Sequence, residues 1–113
     1  MEERREYKRL KRQFIVSFRP YGKKTAFDVS QLKDISAGGV RFMTAKPFKK
    51  DTTLIMEIRT PISVVKLKVS GKVIASKEVV KGLIYDTRVR FVNLDDDTAE
   101  IIKQTVDYFS KKL

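Results

Sequence analysis

Val65-Lys66-Leu67-Lys68-Val69-Ser70-Gly71-Lys72-Val73-Ile74-Ala75 decides the fold. Val65, Leu67, Val69, Val73 and Ala75 take every second place, with Gly71 in step. Lys66, Lys68, Ser70 and Lys72 fill the places between. Successive side chains of a β-strand point to opposite faces, so a period of two reads as a long strand with one dry and one wet face. Gly71 in the dry set predicts a bulge or a sharp bend of the kind barrel strands need.

The same period recurs on both sides. Upstream, Phe14, Val16 and Phe18 alternate with Ile15, Ser17 and Arg19, and Pro20-Tyr21-Gly22 marks a turn. Thr25, Phe27 and Val29 resume the alternation and carry a strand toward Leu32 and Ile35, until Ala37-Gly38-Gly39 breaks it. Val40 and Phe42 alternate with Arg41 and Met43, and a loop follows around Ala45-Lys46-Pro47. Leu54, Met56 and Ile58 read as another strand, closed by Thr60-Pro61. Downstream, Lys81-Gly82 is a turn, after which Tyr85, Thr87, Val89 and Phe91 alternate with Asp86, Arg88 and Arg90. Several short alternating strands separated by turn signals predict an antiparallel β-barrel or sandwich.

The C-terminal end has a different period. Ile101, Ile102, Val106, Phe109 and Leu113 recur three to four apart and predict one amphipathic helix. Asp95-Asp96-Asp97 precedes it, supplying an N-cap and negative charge at the positive end of the helix dipole. Lys111 and Lys112 stand at the other end, where cations help. A cap explains the aspartates better than a metal site does, because no spaced acidic partners follow.

Composition narrows the function. The chain has 113 residues, which suits one domain, and a fold of this size buries roughly two-thirds of its unfolded surface. Lys and Arg number 25 against 14 Asp and Glu, a net charge of +11, so anionic partners are expected. There is no Cys and no His, which excludes disulfides, thiolate nucleophiles, His general bases and ordinary Cys/His zinc sites. No apolar run approaches the ~20 residues of a membrane-spanning helix. The N-terminus is charged from its second residue, unlike a signal peptide, and a cytoplasmic location is expected. Residues 1–12 form a polar, arginine-rich arm, and 13–113 the barrel with its helix. The chain starts almost at the first motif below, as a single-domain adaptor or an excised piece of a longer protein would.

Two motifs carry chemistry. Glu3-Arg4-Arg5-Glu6-Tyr7-Lys8-Arg9 holds R-x-x-x-R at Arg5 and Arg9. On a helix these two share a face; on an extended arm they embrace a ligand from two sides. Arg presents a planar fork that matches phosphate and the O6/N7 edge of guanine. Asp34-Ile35-Ser36-Ala37-Gly38-Gly39 reads D-x-S-x-x-G. Taken alone it is a turn, with Asp and Ser bonding local amides. Functionally, Asp34 and Ser36 would share one face of an extended segment, where a carboxylate accepts from guanine N1–H and N2–H₂.

The two motifs in this order, with Val89-Arg90-Phe91 and a terminal helix beyond them, resemble the PilZ domain family over nearly the whole chain. The resemblance implies a six-stranded antiparallel barrel with a C-terminal helix. It implies a non-catalytic receptor for cyclic di-GMP, a ligand rather than a cofactor, held between the arm and the barrel. By resemblance Arg5 and Arg9 grip guanine and phosphate, and Asp34, Ser36 and Gly39 line the other guanine. Arg4, just before the motif, accompanies two stacked ligand molecules in such domains. A protein effector in the flagellar motor, the exopolysaccharide machinery or the transcription machinery is implied as the partner. Two departures stand out. Asp51-Thr52 replaces a frequent turn glycine, and Arg88 replaces a frequent glycine before Val89-Arg90-Phe91. Arg88 is read as a solvated strand residue in preference to a phosphate contact. Lys66, Lys68 and Lys72 are read as a solvated stripe, and Tyr7 and Tyr85 as half-buried in preference to stacking.

The main alternative is a small nucleic-acid-binding barrel, prompted by the +11 charge. Such proteins expose aromatic platforms between basic residues. Phe14, Phe18, Phe27, Phe42 and Phe91 all fall on the expected inner face, which disfavours it. An enzyme ranks third, because Asp34 and Ser36 lack a base-and-orienter arrangement.

Overall fold

The computed structural model describes residues 14–60, 64 and 66–112, with side chains through 108. Arg4, Arg5, Tyr7 and Arg9, and with them the arm, lie outside the described residues. Six strands are followed by one helix: β1 (Ile15–Pro20), β2 (Asp28–Ile35), β3 (Gly39–Thr44), β4 (Thr53–Arg59), β5 (Leu67–Val80), β6 (Ile84–Val92) and α1 (Asp96–Lys112). The strands close into a barrel in the order β1-β2-β3-β6-β5-β4, with every neighbouring pair antiparallel. The expected six-stranded barrel with a C-terminal helix is the observed fold.

The alternating apolar positions fill the barrel. Val16, Phe18, Val40, Phe42, Leu54, Met56, Ile58, Leu67, Val69, Val73 and Val89 are buried together with Ile102 of α1. Phe18 packs on Phe42 with ring centroids 4.8 Å apart, and Phe48 meets Phe18 edge-on at 6.2 Å. Burial of each such side chain contributes roughly 1.5–3 kcal/mol. Phe48 was not expected in the core; it reaches inward from the loop after β3, outside any periodic run.

Two glycines let β6 come close to its neighbours. At Gly71 an added Cβ would run into Val89 Cγ1 and stand 2.8 Å from the Arg90 carbonyl oxygen. Gly71 therefore permits close packing, and the bulge expected there falls three residues later, at Ile74 between Val73 and Ala75. β5 also runs on to Val80, further than its apolar alternation indicated.

The start of β2 departs from expectation. Residues 23–27 form no strand, and Val29 is 66% exposed. The register with β1 sets Ser30 opposite Val16, so Ser30 and Leu32 take the inner phase. A bulge between Leu32 and Asp34 absorbs Lys33 and returns Ile35 to the inside. Phe27 is likewise outside, with the Arg19 guanidinium 4.7 Å from its ring centroid.

Asp51 takes φ +70°, the left-handed conformation a glycine would supply at that turn, and Asp is among the few residues that adopt it readily. Asp95 caps α1, its Oδ1 accepting from the Thr98 N–H at 2.7 Å and its carbonyl from Ala99 at 2.9 Å. Hydrogen bonds from the Thr98 backbone and side chain hold its carboxyl below the ordinary value. The aspartate run is thus a helix start. Ile102 and Thr105 are buried, and Ile101 and Val106 pack against the core, so one face of α1 rests on the barrel interior.

Candidate functional site

The outer faces of β2, β3, β6 and β5 form two adjacent rows. In an antiparallel sheet residues directly opposite one another share a face, so the register names the rows. Asp34 pairs with Arg41, Arg41 with Arg88, and Arg88 with Ala75. In the next row the Ser36 N–H donates to the Gly39 carbonyl at 2.9 Å, Gly39 pairs with Arg90, and Arg90 with Lys72.

Side-chain size makes this face concave. Ser36 is small and Gly39 has no side chain, whereas Asp34, Arg41, Arg88 and Arg90 stand around them. The result is an open depression of about 360 Å³ that also takes in Gly38 and Ile74. That volume lies within the usual range for small-molecule sites. Gly39 has a reason beyond the turn. It is a strand residue without positive φ, and an added Cβ would run into the Val89 carbonyl oxygen and stand 3.0 Å from Arg90 Cα. The strand β3 can lie this close to β6 only because position 39 is glycine.

Asp34 and Ser36 share the outer face as expected, but their side chains differ in availability. Ser36 Oγ accepts from the Gly38 N–H at 3.2 Å and lies 3.5 Å from the Gly39 carbonyl, so it braces the turn. The Asp34 carboxylate is exposed and has no hydrogen bond or ion pair with another described residue. The structure thus brings Asp34, Ser36 and Gly39 together, while Arg4, Arg5 and Arg9 lie outside the described residues.

Arg41 was given no role from the sequence, and Arg90 was named only as part of Val89-Arg90-Phe91. Arg41 donates to Asp86 Oδ2 at 2.9 Å, an ion pair that spans 45 residues of sequence. Arg88 and Arg90 are exposed and have no ion pair with a described residue. The available signal was the R-x-R of Arg88 and Arg90, since i and i+2 share a strand face.

A second depression, of about 370 Å³, lies on the opposite side of the barrel between β1, β4, β5 and the start of α1. Its charges are spoken for. Glu57 stands directly opposite Lys68 and 3.5 Å from Lys66 Nζ; Arg19 covers Phe27 and donates to the Thr25 carbonyl at 3.2 Å; Asp95 caps the helix.

A closed six-stranded barrel with a concave β2–β3–β6 wall and a C-terminal helix is the class these observations define. The chain belongs to the PilZ domain family, whose pattern matches residues 3–108. Among solved structures it is similar to the PilZ domain, with c-di-GMP, of YcgR from Escherichia coli. The TM-score is 0.57 at 16% sequence identity, covering 88% of this chain and 86% of that one. No curated relative matches the sequence. No helix among the described residues is long and apolar enough to cross a membrane.

Proposed function

We propose that this PilZ domain is a non-catalytic receptor for cyclic di-GMP. The ligand lies in the β2–β3–β6 depression and is clamped there by Arg4, Arg5 and Arg9 of the N-terminal segment. The observation that carries the reading is the Asp34 carboxylate, without a partner among the described residues, in a concave wall lined by arginines, beside a gap left by Gly39. A lone carboxylate among arginines accepts from the N1–H and N2–H₂ of guanine, while the arginines meet phosphate. The domain match and the c-di-GMP of the YcgR structure support the choice of ligand.

Binding orders the N-terminal segment onto the barrel, and the ligand shifts that equilibrium by its preference for the closed state. The closed form presents a new surface to a cytoplasmic protein effector. The nucleic-acid alternative loses ground on Phe18 and Phe42, core residues that cannot serve as a stacking platform, but not on Phe27, which stands outside under Arg19.

Isothermal titration with cyclic di-GMP at low salt and micromolar protein tests the reading. Saturable heat is expected, and Arg5→Ala or Arg9→Ala should weaken binding by more than tenfold, as charge-assisted bonds worth roughly 1.5–3 kcal/mol each are lost. Absence of heat for the unmodified protein would refute it.

A further inference from the structure

We infer that Arg88 and Arg90 on the outer face of β6, with Lys72 of the neighbouring β5 at their edge, form a phosphate seat. Arg88, at a position the sequence pattern left to solvent, is one of its ligand-contacting residues. The inference rests on the cyclic di-GMP reading and adds to it the place where the ligand's phosphodiester lies.

The argument comes from register. Arg88 stands directly across from Arg41 on one side, and Arg90 directly across from Lys72 on the other. Like charges directly opposite one another on a sheet are destabilising. Here two such pairs occupy adjacent rows of one face. The nearest acids offset Arg41 and leave Arg88, Arg90 and Lys72 without an ion pair to a described residue. Asp86 is bound to Arg41, and Asp34 sits at the far end of its row, two strands from Arg88. Arg88 and Arg90 also lie two residues apart on one strand face, about 7 Å. Two guanidinium forks at that spacing can converge on one phosphate between them.

A solvated stripe would look different, and this protein has one. Lys66 and Lys68 flank Glu57, so charge on that wall alternates in sign. On the β6 wall cation faces cation, beside a gap at Ser36 and Gly39 that leaves the backbone open to a flat ligand. A dianionic ligand relieves the repulsion when it binds. Repulsion stored in the free state thereby adds to the preference for the bound state.

The test is titration of cyclic di-GMP into the whole protein and into Arg88→Gln, Arg90→Gln and the control Lys46→Gln. Titrations run at two salt concentrations, with thermal melts of each protein without ligand. Lys46 is exposed outside the depression. Arg88→Gln and Arg90→Gln are each expected to weaken binding about tenfold or more and to flatten its salt dependence, while Lys46→Gln stays within about twofold. The ligand-free Tm of Arg88→Gln should equal or exceed that of the unmodified protein, because a like-charge pair has been removed. If the unmodified protein binds and Arg88→Gln binds as tightly, the phosphate seat is wrong and the receptor reading stands. A lowered ligand-free Tm for Arg88→Gln would make Arg88 structural and also overturn the seat. If the unmodified protein does not bind, the receptor reading itself falls.

Discussion

Two depressions on the described surface of this barrel are nearly equal in volume, about 360 Å³ against about 370 Å³, yet they differ in how their charges are used. Between β4 and β5, Glu57 answers Lys66 and Lys68, and the neighbouring Arg19 and Asp95 serve local turns and caps. Across β2, β3, β6 and β5, Arg41 faces Arg88, Arg90 faces Lys72, and the Asp34 carboxylate has no partner among the described residues. One wall has its charges matched within the fold; on the other only Arg41 is matched, by Asp86, and the remaining charges are left for something else. Size alone does not separate a binding surface from a crevice, whereas unmatched charge in register does.

The most damaging way to break this contrast is at Gly39. Gly39→Val puts side-chain atoms into the β6 backbone and fills the gap beside Ser36. Overpacking of this kind costs about 1–3 kcal/mol or more, so urea unfolding should show a clear loss of stability, and cyclic di-GMP binding should vanish. Asp34→Ala comes next. It removes a carboxylate that nothing described in the fold uses, so affinity should drop about tenfold or more while the ligand-free Tm stays the same. Glu57→Gln is the converse experiment on the matched wall. It should lower stability by about 0.5 kcal/mol in denaturant titrations and leave ligand affinity unchanged.

Asp95 offers the smallest effect and lies outside both rows. Its folded-state carboxyl titrates below the ordinary value of 3.8, because it accepts from Thr98. A depressed folded value means its stabilisation is complete above the unfolded value and fades as pH falls from there through the folded one. Asp95→Asn keeps an acceptor for Thr98 but removes the charge. Its Tm should therefore vary less with pH below about 4 than that of the unmodified protein.

Most of the barrel was legible because its strands keep a strict period of two. Leu54, Met56 and Ile58, or Thr87 and Val89, need no distant information to declare a face. β2 was misphased because a bulge at Lys33 shifts the alternation, and an inserted residue leaves no composition signature. Phe48 was missed because it enters the core from a loop. At the site, the local pieces Asp34, Ser36 and Gly39 were legible, although the role of Gly39 was not. Its need for glycine comes from the β6 backbone, some fifty residues away. The cationic rows were invisible for the same reason, since Arg41 and Arg88 become neighbours only once β3 pairs with β6.

The most direct test of the unmatched wall as the ligand wall is a backbone amide chemical-shift map of the ¹⁵N-labelled protein titrated with cyclic di-GMP. The account predicts saturable shifts at Asp34, Ser36, Gly38, Gly39, Arg41, Arg88 and Arg90, with Glu57, Lys66 and Lys68 unmoved. Shifts confined to the β4–β5 wall, or no shifts at all, would contradict it.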